Sequence, residues 1–202
     1  MKIRKAGKAM GKGTKGLVII ACMILLIIGY YAYLSNRNIN EKEEVVSLTM
    51  TQEVLLRDLE KSYPPSPKEV MKYYSDMTMC FYNEEHTEEE LEALANKARE
   101  LYDDELLENQ TEEQYQRMLA GDIDEYIKEK MTISSYSVAN STDVEYYTRD
   151  NYEWAKIYCV YTLRKEMELA SIKEDFLLRK DKNQHWKIYG WILSPEENTN
   201  LE

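Results

Sequence analysis

The chain has 202 residues, and its 26 Lys plus Arg against 37 Asp plus Glu give a formal charge of −11, which argues against a phosphate-tracking surface and any nucleic-acid partner, because such a surface needs clustered cations. A composition of 44% hydrophobic and 31% charged residues is that of a globular protein, so wholesale disorder is excluded. Seven glycines and four prolines exclude collagen-like and Gly/Pro-rich low-complexity classes.

Residues 1–16 form a basic tail, with Lys2, Arg4, Lys5, Lys8, Lys12 and Lys15 and no acid. Leu17 to Leu34 then runs without a charge, long enough as a helix to reach across most of a bilayer core of about 30 Å. The preceding cations hold the N-terminus in the cytoplasm and place everything after Ser35 outside the membrane. Tyr30, Tyr31 and Tyr33 crowd the outer end, where amphipathic rings favour the interface. The lipid bilayer is therefore an expected partner through Leu17 to Leu34. A cleaved signal peptide has the same order of charge and apolarity but a shorter apolar stretch and a small-x-small cleavage site. Cys22, after Ile19-Ile20-Ala21, has most of the apolar run behind it, the reverse of a lipoprotein signal. A buried core helix apolar on every face needs a large protein around it.

Residues 35–62 are expected to form a juxtamembrane spacer and a helix, 63–195 an α+β domain, and 196–202 a C-terminal tail. Thr49 with Gln52 at the capping-box position opens a helix through Val54, Leu55, Leu56 and Leu59. Val45, Leu48, Leu55 and Leu59 fall near heptad positions with Gln52 intervening, too short a run for a coiled coil but compatible with a weak dimer stalk. The prolines at 64, 65 and 67 end that helix. Ser66 caps the next, with Pro67 at its first position and Glu69 closing the box. Val70, Tyr73, Tyr74, Met77, Cys80 and Phe81 then form one apolar face. Thr87 with Glu90 opens a third helix lined by Leu91, Leu94, Ala95, Ala98, Leu101 and Tyr102. Thr111 with Gln114 opens a fourth carrying Tyr115, Met118 and Leu119, which Gly121 is expected to end. Asp122 with Glu125 then restarts a short helix.

From Thr132 the period changes to alternation. One long or bulged strand is expected over 132–148, irregular at Asn140 and Ser141. Arg149-Asp150-Asn151 turns into a strand over 154–164 whose Ala155, Ile157, Cys159, Tyr161 and Leu163 face one way. A third strand covers 172–180, Asp181 to Gln184 make a hairpin, and Trp186 to Leu193 finish the sheet. Helices followed by an antiparallel meander is the α+β order.

That order, ending in His185-Trp186-Lys187-Ile188-Tyr189-Gly190-Trp191, resembles the nuclear transport factor 2-like (cystatin-like) superfamily, a cone of helices wrapped in a curved antiparallel sheet. The stretches Pro67-Lys68-Glu69-Val70, Ile133-Ser134-Ser135-Tyr136-Ser137-Val138 and Phe176-Leu177-Leu178-Arg179-Lys180 are similar to a family of uncharacterised membrane-anchored proteins of Gram-positive anaerobes. The resemblance implies an extracytoplasmic cone and supplies no catalytic residues. The superfamily includes isomerases, dehydratases, ligand binders and assembly domains. Single-span anchors of this fold also resemble components of conjugation and type IV secretion complexes, an analogy of architecture alone.

Two isolated glycines beyond the span, Gly121 and Gly190, cannot build a phosphate cradle. His86 and His185 have no neighbours at metal-ligand spacing, so no metal or other cofactor is expected. The resemblance to superfamily enzymes implies an Asp or His base beside a Tyr donor, roles for which Asp175 and Tyr136 can be nominated among many Asp and Tyr residues. Between Glu84 and Glu125 sixteen acids meet three bases; without a spaced Asp/Asn-Gly loop these read as solvated helix faces. Tyr136, Trp154, Tyr158 and Trp191 are candidates for lining a ligand pocket, although half-buried strands select the same residue types. Cys80 and Cys159 sit on apolar faces and read as buried thiols. The expected function is non-enzymatic: a single-pass protein of the cell membrane presenting a protein- or ligand-binding domain, with an envelope protein partner or self-association. A secretion-complex scaffold and a small-molecule isomerase or dehydratase are the alternatives.

Overall fold

The computed structural model describes residues 28, 30 and 48–194. The basic tail, the C-terminal tail 196–202 and the predicted span lie outside the described residues, except that Ile28 and Tyr30 are helical. Among the described residues no helix is long and apolar enough to cross a membrane.

A compact unit begins at Leu48. Its elements are α1 (Met50–Leu55), α2 (Pro67–Asn83), α3 (Glu88–Arg99), α4 (Asp104–Glu108), α5 (Glu112–Lys128), β1 (Met131–Val138), β2 (Glu145–Arg149), β3 (Tyr152–Lys165), β4 (Glu168–Lys180) and β5 (Trp186–Leu193). Helices precede a curved antiparallel sheet, the α+β order expected.

Local chemistry explains the helix starts. Thr49, Thr87 and Thr111 each close a reciprocal capping box, with Gln52, Glu90 and Gln114 respectively, so two otherwise orphaned donors are satisfied at each end. Ser66 caps α2 through the Glu69 amide, but Glu69 returns no bond; its carboxylate pairs instead with Lys72 at 2.8 Å. Along α2, Val70, Tyr73, Met77, Cys80 and Phe81 are buried as their spacing requires, and Tyr74 is half-buried.

Several boundaries differ from the sequence pattern. α1 stops at Leu55, and Leu59 is buried in the turn after it. α1 belongs to the compact unit: Tyr73 donates to the Val54 carbonyl at 2.7 Å, and the Glu84 carboxylate accepts from the Met50 and Thr51 amides at 3.0 and 3.1 Å. Val45, the first residue of the weak stalk considered from sequence, lies outside the described residues. Gly121 does not end a helix; α5 runs through it to Lys128, because no left-handed residue intervenes to turn the chain. The short α4, capped by Asp103, has no counterpart in the hydrophobic periodicity, for none of its residues is fully buried.

The expected strand over 132–148 is two strands, interrupted by a 3-10 turn at Ser141–Asp143, at the expected irregularity. Both pair with β3, β1 along 159–165 and β2 along 152–156, so the break lets one edge wrap further around β3. The sheet order is β1-β3-β4-β5. Asp150 and Asn151 are both left-handed, φ 52° and 64°, as a two-residue primed hairpin demands. β4 starts at Glu168, four residues before the apolar pattern, since its pairing with β3 runs to Lys165–Glu168. Tertiary pairing overrides weak strand propensity there.

α2 contacts β1, β3 and β5 and thus lies across the sheet. The core gathers Met71, Met77, Leu94, Leu101, Ile157, Phe176, Leu178 and Ile188, all essentially inaccessible. The turn after α3 fastens to β5: the Asp103 amide donates to the Ile188 carbonyl at 2.9 Å, and the Ile188 amide donates to the Leu101 carbonyl at 2.8 Å. This covers part of an edge that would otherwise present unpaired backbone. Cys80 and Cys159 are buried free thiols.

Candidate functional site

The sheet's alternation decides which side chains meet. On β3, Ala155, Ile157, Cys159, Tyr161 and Leu163 are buried beneath the helices. Their partners on β4 include Phe176 opposite Ile157 and Glu174 opposite Cys159. A residue two along a strand keeps the same face, so Ile172, Glu174, Phe176 and Leu178 all point toward the core. Glu174 is thus a carboxylate in an apolar row.

It projects into a cavity of about 260 Å³ enclosed by α2, α5 and the sheet. Tyr74, Thr78, Phe81 and Tyr82 come from α2, and Tyr115, Leu119, Asp122 and Tyr126 from α5. Tyr102, Ile133, Tyr161, Leu163, Ile172 and Trp191 complete the wall. Asp122 and Trp191 are its exposed members. The Tyr102 hydroxyl lies 3.3 Å from those of both Tyr74 and Tyr115, and the Trp191 ring centroid is 6.1 Å from Tyr74 and 6.0 Å from Tyr102.

Electrostatics sets the cavity apart. Burial alone pushes the Glu174 carboxyl up, from an ordinary 4.5 to about 7, since removing a carboxylate from water favours its neutral form. Tyr74, Tyr102 and Tyr115 are pushed well up by burial too, so their hydroxyls keep their protons. Among the described residues the wall holds no Lys, Arg or His. It therefore offers aromatic surface, hydroxyl donors and one carboxyl poised near neutrality.

Of the four residues nominated from sequence, only Trp191 lines this cavity. Tyr136 is on the core face but outside it, donating to Asp76 at 2.6 Å. Tyr158 is on the opposite face, with the Lys173 ammonium 4.6 Å from its ring centroid. Trp154 is also on that face, 5.5 Å from the Arg179 guanidinium. Asp175, the nominal base, is on the outer face 3.6 Å from Lys156, so the strand separates it from Tyr136. The reason is the strand's two-residue period: Asp175 and Glu174 are neighbours in sequence and face opposite ways. The signal in the sequence is an acid in phase with Ile172, Phe176 and Leu178.

A second polar cluster surrounds Arg179. Its guanidinium donates to both Asp103 oxygens, one at 2.9 Å, and to Glu105 at 2.6 Å, and lies 4.6 and 5.1 Å from the Tyr152 and Tyr189 rings. One guanidinium thus holds two carboxylates, a cluster that keeps a net negative charge and ties α4 to the sheet. The remaining acids from Glu84 to Glu125 are mostly solvated, and among the described residues no group of three His, Cys, Asp or Glu is placed to hold a metal ion. His86 lies 2.8 Å from the Cys80 carbonyl and His185 stacks on Tyr63 at 4.1 Å, both in structural positions.

The family described as Domain of unknown function (DUF6715) matches residues 1–191. The chain belongs to that family. A comparison with curated proteins finds no match. The DUF6715 match runs from the basic tail through most of β5, so Glu174, the cavity-lining tyrosines and Trp191 all lie inside it.

Proposed function

We propose that this protein is a non-enzymatic ligand-binding domain carried outside the cell membrane by one span over Leu17 to Leu34. The observation that carries the reading is the aromatic cavity around Glu174. A carboxyl desolvated without a partner is costly to keep, and a cavity of this size with a few convergent polar groups is the usual form of a small-molecule site. The tyrosine hydroxyls bond one another, which suits a preformed pocket. Helices followed by a curved sheet support kinship with the nuclear transport factor 2-like superfamily. The charge-free run and its basic flank support the anchor and an inside N-terminus. An envelope protein partner or self-association belongs to the same proposal, and crosslinking in native membranes tests it.

The direct test compares the wild type with Ile172→Trp, which fills the cavity from β4. Full-length protein in nanodiscs is screened by thermal shift against small aromatic and amphipathic compounds. Binding raises Tm by mass action, so hits on the wild type that vanish in Ile172→Trp support the reading. Equal shifts in both proteins, or none, refute it.

One observation favours a second reading, a cofactor-free isomerase or dehydratase. Glu174, at about 7, is matched to general-base work near neutral pH, and tyrosine hydroxyls share its cavity. Turnover of a screening hit, abolished in Glu174→Gln, would establish it over simple binding.

A further inference from the structure

The wall of the cavity has a charge imbalance that restricts what it accepts. Among the described residues, its only ionisable groups besides tyrosines are Glu174 and Asp122. Elsewhere in the domain, inward acids have partners: Asp103 has Arg179, and Glu84 caps the first amides of α1. Glu174 stands in register with Cys159 on one side and Leu193 on the other, neither of which carries a positive charge.

We propose that the cavity takes an organic ammonium ion, its charge seated against Glu174 and its body among Tyr74, Tyr102, Tyr115 and Trp191. This rests on the reading of the cavity as a ligand site and names the ligand's class. An anion is repelled by both carboxylates. A neutral apolar ligand strips the remaining water from Glu174 and returns nothing. An ammonium group supplies the missing counter-charge and gains cation–π attraction from a wall rich in aromatic side chains, the recognition chemistry of aromatic cages. A bare metal ion fits less well, since among the described residues no group of three His, Cys, Asp or Glu is placed to hold one. The volume, about 260 Å³, equals the space of roughly nine waters at about 30 Å³ each, and suits a ligand of about ten non-hydrogen atoms.

Benzylammonium, benzyl alcohol and benzoate share a ring and differ in charge. Each is titrated into full-length protein in nanodiscs at pH 8, where Glu174 is ionised, by calorimetry and tryptophan fluorescence. The expected result is saturable benzylammonium binding at least tenfold tighter than benzyl alcohol, with benzoate weakest. Glu174→Gln should erase that preference, and Glu174→Asp should retain part of it. Benzyl alcohol binding as tightly as benzylammonium overturns the ammonium assignment and leaves the ligand site standing. A preference that survives in Glu174→Gln overturns it as well. Failure of all three probes to bind overturns both the assignment and the ligand-site reading.

Discussion

Glu174→Gln separates the cost of the buried carboxyl from the shape of its surroundings. In the folded protein the carboxyl is pushed up to about 7 from 4.5, so the folded state holds a proton that the unfolded state releases. Below about pH 4.5 both states are protonated and the wild type carries no penalty. Between about 4.5 and 7 the unfolded chain ionises first, and stability falls as pH rises, by at most about 1.4 kcal/mol per pH unit. Above 7 both are ionised and the loss is complete, an upper bound of about 3 kcal/mol that solvent at the cavity mouth reduces. Glutamine keeps the shape and cannot ionise. The difference in stability between Glu174→Gln and wild type should therefore widen from pH 5 to pH 8, by as much as ~6–12 °C in Tm at the sensitivity of a domain this size. Other titrating pairs are common to both proteins and cancel in the difference. The assay is thermal unfolding monitored by near-UV circular dichroism across that range. Parallel profiles, or a wild type that gains on the variant with rising pH, would refute the placement of Glu174 in a desolvated site.

Arg179→Leu removes the partner of a carboxylate whose side chain is 5% exposed; breaking such a pair costs about 3–5 kcal/mol, visible as a lowered denaturation midpoint, and an unchanged midpoint would contradict the tie between α4 and the sheet. Glu84→Ala should cost about 1 kcal/mol, the scale of a lost helix cap, and limited proteolysis should show earlier cutting between α1 and Tyr63. Burial pushes the Cys80 thiol up to about 11 and raises Cys159 as well; both should resist a thiol reagent at pH 8 until the domain unfolds, and rapid labelling of the native protein would refute their burial.

Local codes were legible because they act over three or four residues. The threonine boxes at 49, 87 and 111, Ser66 before Pro67, and the Asp150-Asn151 turn are satisfied within their own segments, so neighbouring sequence suffices to specify them. The apolar faces of α2 and β3 were equally plain, since burial on one side imposes the helical or the two-residue period. Gly121 misled because a glycine ends a helix only where the chain must turn left-handed, and that requirement is set by where the next segment packs. α4 leaves no trace in the periodicity because its anchor is an ion pair from Asp103 to Arg179, 76 residues away, rather than an apolar stripe.

By itself, the sequence determined the α+β order, the buried faces of α2 and β3, and the buried thiols. Each of these is a matter of side-chain period or composition. Only the tertiary structure decided the site. Which of fourteen tyrosines outside the predicted span line a cavity depends on how α2 and α5 cross the sheet. That Glu174 rather than Asp175 enters it depends on the phase of β4 against β3. A one-residue shift exchanges the two faces of a strand, and pairing across the sheet fixes that phase.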